Sequence, residues 1–206
     1  MFISEDLKFR DYTLIIDRSA SMSTADQRGG KSRWDVIQEA TLGLARECQK
    51  LDPDGITVYV FAGKFKRYDN VTESKVAQIF KENFPAGGTN LDGVLQDAID
   101  NYFQRKDNGS TKRNGEIILV VTDGEPDDTQ AVKKVIVDAT HKLEKDLELG
   151  ISFIQIGSDP EATRFLEELD NDLERAGAKH DICDTLTFDD LEDIPMVDVL
   201  LNAISG

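Results

Sequence analysis

Apolar residues recur along the chain in two alternating rhythms. Tyr12 to Ile16 is an unbroken apolar run, as expected of a strand buried on both faces. A polar, glycine-containing loop follows through Gly30. Trp34, Ile37, Ala40, Leu44 and Cys48 then recur at helical spacing, which predicts a helix over Ser32–Lys50. Asp52-Pro53-Asp54-Gly55 is a turn, and Ile56–Ala62 is rich in β-branched and aromatic residues, the mark of a second strand. Lys66–Tyr68 reads as a short antiparallel edge strand, where lysines are tolerated.

The alternation continues to the end. Helices are predicted over Glu73–Glu82, Leu91–Arg105, Gln130–Lys145, Pro160–Ala176 and Met196–Ile204, and strands over Glu116–Thr122, Ile151–Ile156 and Asp181–Leu186. Thr89 or Asn90 stands where the Leu91 helix needs its cap. Strands alternating with helices imply an α/β fold with a mostly parallel, doubly wound sheet, one antiparallel edge strand and helices on both faces. No repeat or linker divides the chain, so residues 1–206 are expected to form one domain.

Composition narrows the function classes. A net charge of −16 disfavours nonspecific nucleic-acid binding and anionic membrane surfaces, which both demand clustered Lys and Arg. No run approaches the roughly 20 apolar residues of a membrane span. Met1 to Asp6 has neither a basic start nor an apolar core, so it does not read as a secretory signal. Cys48 and Cys183 are expected to be buried free thiols, which suits a reducing, cytoplasmic compartment.

Three short segments carry the candidate chemistry: Asp17-Arg18-Ser19-Ala20-Ser21, Gly87-Gly88-Thr89, and Thr122-Asp123-Gly124. The first and third directly follow predicted strands, where open α/β sheets collect their ligands. Their side chains offer oxygen alone, with two carboxylates (Asp17, Asp123) and three hydroxyls (Ser19, Ser21, Thr89). Hard cations such as Mg2+ select oxygen and retain water or an outside ligand in part of their octahedron.

Taken in order, Asp17-Arg18-Ser19-Ala20-Ser21-Met22, Gly88-Thr89-Asn90 and Thr122-Asp123-Gly124-Glu125-Pro126 resemble the metal-ion-dependent adhesion site of von Willebrand factor type A domains. The resemblance runs from about Asp11 to Ile204 and is closest in kind to intracellular bacterial stand-alone members. It implies direct ligation by Ser19 and Ser21, ligation by Thr89 directly or through water, and water-mediated or orienting roles for Asp17 and Asp123. The implied ion is Mg2+, with Mn2+ or Ca2+ as alternatives. The implied function is a protein-binding module, monomeric when free, whose partner supplies a carboxylate to the ion. It also suggests a last helix able to shift between two positions. Ala20 stands where the family often has glycine, and Arg18 occupies a variable position.

The alternative is a metal-dependent hydrolase or phosphatase built on the same strand-end aspartate. Phosphatases of that kind need a second acid two residues on, where Ser19 stands. His141 and His180 lie outside the three segments, and no nucleophile elbow, P-loop or dinucleotide fingerprint occurs. A carboxylate at position 17 would also repel a pyrophosphate. The chain is therefore read as a binding module and not an enzyme. Two surface expectations follow. Arg18, Arg28, Lys31 and Arg33 would either stand as scattered solvated charge or form a cationic rim that steers an acidic partner, and Glu125, Asp127 and Asp128 would be solvated loop acids, with ligation of or competition for the metal as the alternative.

Overall fold

The computed structural model describes residues 5–204, without the side chains of 192, 193, 196 and 197. The reading of the N-terminus as no signal therefore falls partly outside the described residues. Six strands form one sheet: β1 (Asp11–Asp17), β2 (Ile56–Phe61), β3 (Phe65–Val71), β4 (Glu116–Thr122), β5 (Leu149–Gln155) and β6 (Cys183–Thr187). Their order is β3-β2-β1-β4-β5-β6, with β3 antiparallel to β2 and the other neighbours parallel. Among the described residues, seven α-helices accompany them: α1 (Arg33–Leu51), α2 (Glu73–Glu82), α3 (Leu91–Asp107), α4 (Thr129–Lys142), α5 (Pro160–Asn171), α6 (Asp190–Asp193) and α7 (Met196–Asn202).

Side chains of successive strand residues point to opposite faces, and both faces are covered. On one, Leu14, Ile16, Val58, Val60, Leu119 and Ile154 pack with α1, α2 and α7 residues such as Ile37, Leu44, Ile79 and Leu200. The Trp34 and Phe80 rings, 4.7 Å apart, join α1 to α2. On the other, Ile15, Phe61, Ile118, Val120 and Phe153 pack with α3, α4 and α5 through Val94, Leu95, Ile136 and Leu166. This two-sided burial is why β1 and β4 are continuous apolar runs. Cys48 and Cys183 are buried and unpaired.

The differences from the sequence reading have local causes. β3 runs from Phe65 to Val71, longer than the predicted Lys66–Tyr68, because its exposed residues carry little apolar signal while its backbone pairs with β2. α4 stops at Lys142, before the predicted Lys145. Leu143 turns extended and buried, and the Lys179 ammonium donates to its carbonyl at 2.8 Å. α5 stops at Asn171 instead of Ala176, where Asp172 leaves helical geometry and a run of turns follows. β6 begins at Cys183, two residues later than predicted.

The end of the sheet where β1 and β4 begin has its own buried acid. Glu116 is 1% exposed and accepts hydrogen bonds from the Thr13 hydroxyl and from Arg105, which also pairs with Asp11. Burial pushes the Glu116 carboxyl upward and the Arg105 charge pulls it back. Removing one member of such a pair leaves a charge without compensation in the core. Arg105→Ala is expected to cost about 3 kcal/mol of stability, measured as a lowered urea midpoint; an unchanged midpoint would show that the network is energetically idle.

Candidate metal centre

The strand order places the site. β1 and β4 are adjacent parallel strands whose connections leave to opposite sides, the position where an open α/β sheet has a crevice beyond its carboxyl ends. β1 ends at Asp17 and β4 at Thr122, so Asp17 and Asp123 both emerge there. Backbone hydrogen bonds stitch the surrounding loops together. Arg18 N–H donates to the Phe61 carbonyl at 2.8 Å, and the Arg18 carbonyl accepts from Ala86 N–H at 2.8 Å. Ala20 N–H donates to Gly87 O at 3.1 Å, and Asn90 N–H to Ala62 O at 3.0 Å. Segments far apart in sequence are thereby held as one rim.

Within that rim, Asp17 is fully buried and Asp123 is 1% exposed. One Asp17 oxygen accepts from Ser19 N–H at 2.6 Å and the other from the Thr122 hydroxyl at 2.7 Å. Burial, partly offset by these bonds and reinforced by the nearby Asp123 charge, pushes the Asp17 carboxyl up to about 6. The Ser19 and Ser21 hydroxyls lie 2.9 Å apart. Asp123 Oδ1 accepts from the Ser21 hydroxyl at 2.8 Å, with the Ser19 hydroxyl at 3.5 Å. Asp123 Oδ2 accepts from Arg33 at 2.8 Å.

Thr89 sits on the third wall of the rim, just before α3. Its N–H donates to Asp127 Oδ2 at 3.1 Å and its carbonyl accepts from Asp127 N–H at 3.0 Å. Gly88 is required by this clamp, since a Cβ there would stand 2.9 Å from the same Asp127 oxygen. Asn90 is the helix cap, accepting from Gly93 N–H at 2.9 Å. Four of the five predicted residues, Asp17, Ser19, Ser21 and Asp123, thus share one hydrogen-bonded cluster. Thr89 belongs to the loop tied by backbone to the same first segment.

Two sequence expectations are corrected here. Arg33 does not face outward in a cationic rim; it is 13% exposed at its side chain and pairs with both Asp123 and Asp26. Lys31 lies 3.6 Å from Glu39, and Arg18 donates to the Phe84 carbonyl. Of the four cations, Arg33 is thus directed inward and Lys31 stands near an acid, while Arg28 is exposed beside an open cleft. Asp127 and Asp128 are not merely solvated, because Asp127 clamps Thr89 and Asp128 caps α4 by accepting from Ala131 N–H at 2.9 Å. Sequence reasoning also passed over Thr122 as an Asp17 partner and Asp26 as an Arg33 partner. Thr122 was visible as a neighbour of Asp123, whereas nothing local connects Arg33 to a residue 90 positions away.

The donor set suits a hard cation. The side-chain atoms here able to ligate a cation are oxygens, and the two serine hydroxyls share a single carboxylate oxygen, which leaves lone pairs free. No group of three or more His, Cys, Asp or Glu side chains gathers as a metal site among the described residues. An ion here would depend on hydroxyls and water more than on carboxylates, as Mg2+ tolerates. Beside the rim, an open cleft of about 450 Å³ is lined by Asp26, Gln27, Arg28, Gly157, Thr187 and Phe188, among others. Among the described residues, no helix is long and apolar enough to cross a membrane.

Comparison with known proteins agrees with this fold. Residues 12–125 match the sequence family of the von Willebrand factor type A domain. No curated protein matches in sequence. Three solved structures are similar in fold. A mutant of the PilB minor pilin from Streptococcus sanguinis superposes with a TM-score of 0.60 at 15% identity, over 95% of this chain and 63% of the pilin. The manganese-loaded TRAP protein of Plasmodium vivax gives a TM-score of 0.60 at 14% identity, over 93% of this chain and 74% of that one. Proximal thread matrix protein 1 from the mussel byssus gives 0.55 at 16% identity, over 93% of this chain and 44% of the mussel protein. The chain spans less than two thirds of the pilin and of the mussel protein.

The raised Asp17 carboxyl has a consequence for stability without metal. An acid whose folded pKa lies above its unfolded value holds extra protons when folded, so stability falls as pH rises from about 4 to about 6 and then levels off. Asp17→Asn keeps an acceptor for Ser19 N–H and a donor for the Thr122 oxygen while removing the charge. In EDTA at pH 7 this variant is expected to be the more stable by roughly 3 kcal/mol, with the gain absent below pH 4. Equal melting curves at both pH values would refute a strained Asp17.

Proposed function

Since the chain belongs to the von Willebrand factor type A domain family, whose members typically serve metal-dependent adhesion and interaction, we propose that it is a metal-dependent protein-binding module. The supporting observation is the pair of serine hydroxyls, 2.9 Å apart, gathered with Asp123 Oδ1 above a buried Asp17. Ser19 and Ser21 would hold the ion directly, with Thr89 as a further hydroxyl. Asp17, both of whose oxygens are engaged by Ser19 N–H and Thr122, would orient the first loop. Asp123 would orient the hydroxyls and hold a water.

Mg2+ is the ion this oxygen set suits best, with Mn2+ or Ca2+ as substitutes. The bound cation supplies a Lewis-acidic position open to an outside carboxylate. A Glu or Asp side chain of a protein partner would fill it, and the adjoining polar cleft would add specificity around it. We take the chain as one domain acting in a multiprotein assembly. Its two buried, unpaired thiols support a reducing, cytoplasmic setting.

A hydrolytic use of the same centre has less support. Asp17 accepts two hydrogen bonds, Asp123 is ion-paired to Arg33, and His141 lies on α4, bonded to the Gly177 carbonyl. Residues engaged with one another in this way favour holding and orienting over proton transfer.

The double variant Ser19→Ala/Ser21→Ala is expected to weaken Mn2+ or Mg2+ binding at least tenfold in calorimetry, about 1.4 kcal/mol or more. Its far-ultraviolet spectrum and its melting in EDTA should stay close to those of the parent chain. A pulldown from a cell extract should recover partners in Mg2+ and lose them in EDTA. Undiminished metal binding by the double variant would overturn the ligand assignment, and partner capture insensitive to EDTA would overturn the metal dependence.

A further inference from the structure

Asp17 and Asp123 bring two carboxylates into one buried place, and a single ion pair relieves them. Arg33 opens α1, where Ser32 caps the helix by accepting from Asp35 N–H. Its own N–H donates to the Thr24 carbonyl at 3.0 Å, which fixes the base of the side chain. The guanidinium then reaches in two directions. One nitrogen donates to Asp123 Oδ2 at 2.8 Å, and the rest of the fork grips the Asp26 carboxylate, with contacts of 2.5 to 3.1 Å. Gly157, with φ of +81°, lies flat against it, and a Cβ there would come within 2.8 Å of the Arg33 Cζ. The cation is therefore held from the helix, the loop, the β4 end and the β5 end at once.

The Asp123 carboxylate is divided by this arrangement. Oδ1 faces the serine hydroxyls and Oδ2 faces Arg33. An ion among the hydroxyls and a guanidinium on the far oxygen would share one anionic group and repel each other through it. Asp26, 37% exposed at its side chain, lies beyond Arg33 and offsets part of its charge.

We propose that Arg33 is the resident counter-charge of this centre: it balances the buried carboxylates when no ion is bound, and its charge, moderated by Asp26, sets how tightly the ion is held. Arg33 is on this view a positioning and tuning residue that acts through Asp123. The inference rests on the metal-site reading above. It also deepens it, because the three carboxylates of Asp17, Asp123 and Asp26 together balance a divalent cation and Arg33, so that each charged member bears on how tightly the ion is held.

The probe is Mn2+ alone, titrated calorimetrically at low ionic strength into the whole chain. Arg33→Gln is expected to tighten Mn2+ binding about tenfold, because a fixed cation near the ion is removed. Asp26→Asn, a change at a partly exposed loop residue, is expected to weaken binding about threefold, because the Arg33 charge loses its offset. A merely structural brace would weaken binding in both variants. Melting in EDTA supplies a second reading, in which Arg33→Gln should be less stable than the parent and Arg33→Lys should recover part of the loss by restoring the charge. Weaker or unchanged Mn2+ binding by Arg33→Gln, or a shift of the same sign in both variants, overturns the proposal. If neither the parent nor the variants take up Mn2+, the metal reading itself fails. The EDTA melts then decide the counter-charge alone: loss with rescue by lysine upholds it, and equal melts overturn it.

Discussion

Two negative charges are buried side by side where β1 and β4 end, and the surrounding structure is arranged to make that tolerable. A carboxylate removed from water costs several kcal/mol unless hydrogen bonds or an opposite charge replace its hydration. Asp17 receives a backbone N–H and a threonine hydroxyl; Asp123 receives a serine hydroxyl and a guanidinium. These donors come from three parts of the chain: the loop at Ser19 and Ser21, the β4 end at Thr122, and the start of α1 at Arg33. The adjacency of β1 and β4, the capped start of α1 and the open turn at Gly157 are all conditions for that convergence.

The two ends of the sheet solve the same problem differently. At the end where β1 and β4 begin, each Glu116 oxygen already holds a strong donor, from Thr13 or from Arg105. At the opposite end, two hydroxyls crowd one oxygen of Asp123 and retain acceptor capacity of their own. The first arrangement braces the fold. The second leaves hydroxyl lone pairs that the proposed metal centre would use. Parallel strands account for the difference in position, since their carboxyl ends all reach the same edge and place every loop that follows within reach of the next.

The similar structures share this architecture at 14–16% identity, which places the constraint in the layered fold and not in the bulk of the sequence. An apolar run of five residues is easily conserved in character while changing in identity, because a sheet buried on both faces asks for β-branched and aliphatic volume and little more. The site is less permissive. Gly88 must lack a Cβ for Asp127 to clamp Thr89, and Gly157 must lack one for Arg33 to lie where it does.

Much of this was legible in the residues themselves. The apolar runs at 12–16 and 117–121 specified buried strands and the helical spacing from Trp34 to Cys48 specified α1, because these signals are local and periodic; the polar oxygens placed just after strands pointed to the residues that cluster at the β1 and β4 ends. The exposed strand β3 was underestimated, since its side chains face solvent and only backbone pairing with β2 defines its length. What tertiary structure alone decided was the fate of charge. Arg33 looked like one of several cations on a surface loop, and Asp127 like one of several loop acids. Only the placing of the start of α1 within reach of the β4 end turned the arginine inward to Asp123, and only the approach of the Thr89 loop gave Asp127 a backbone to hold. A charged residue's partner is set by distances across the fold, which sequence neighbours do not encode, whereas an apolar residue's destiny is written in its spacing.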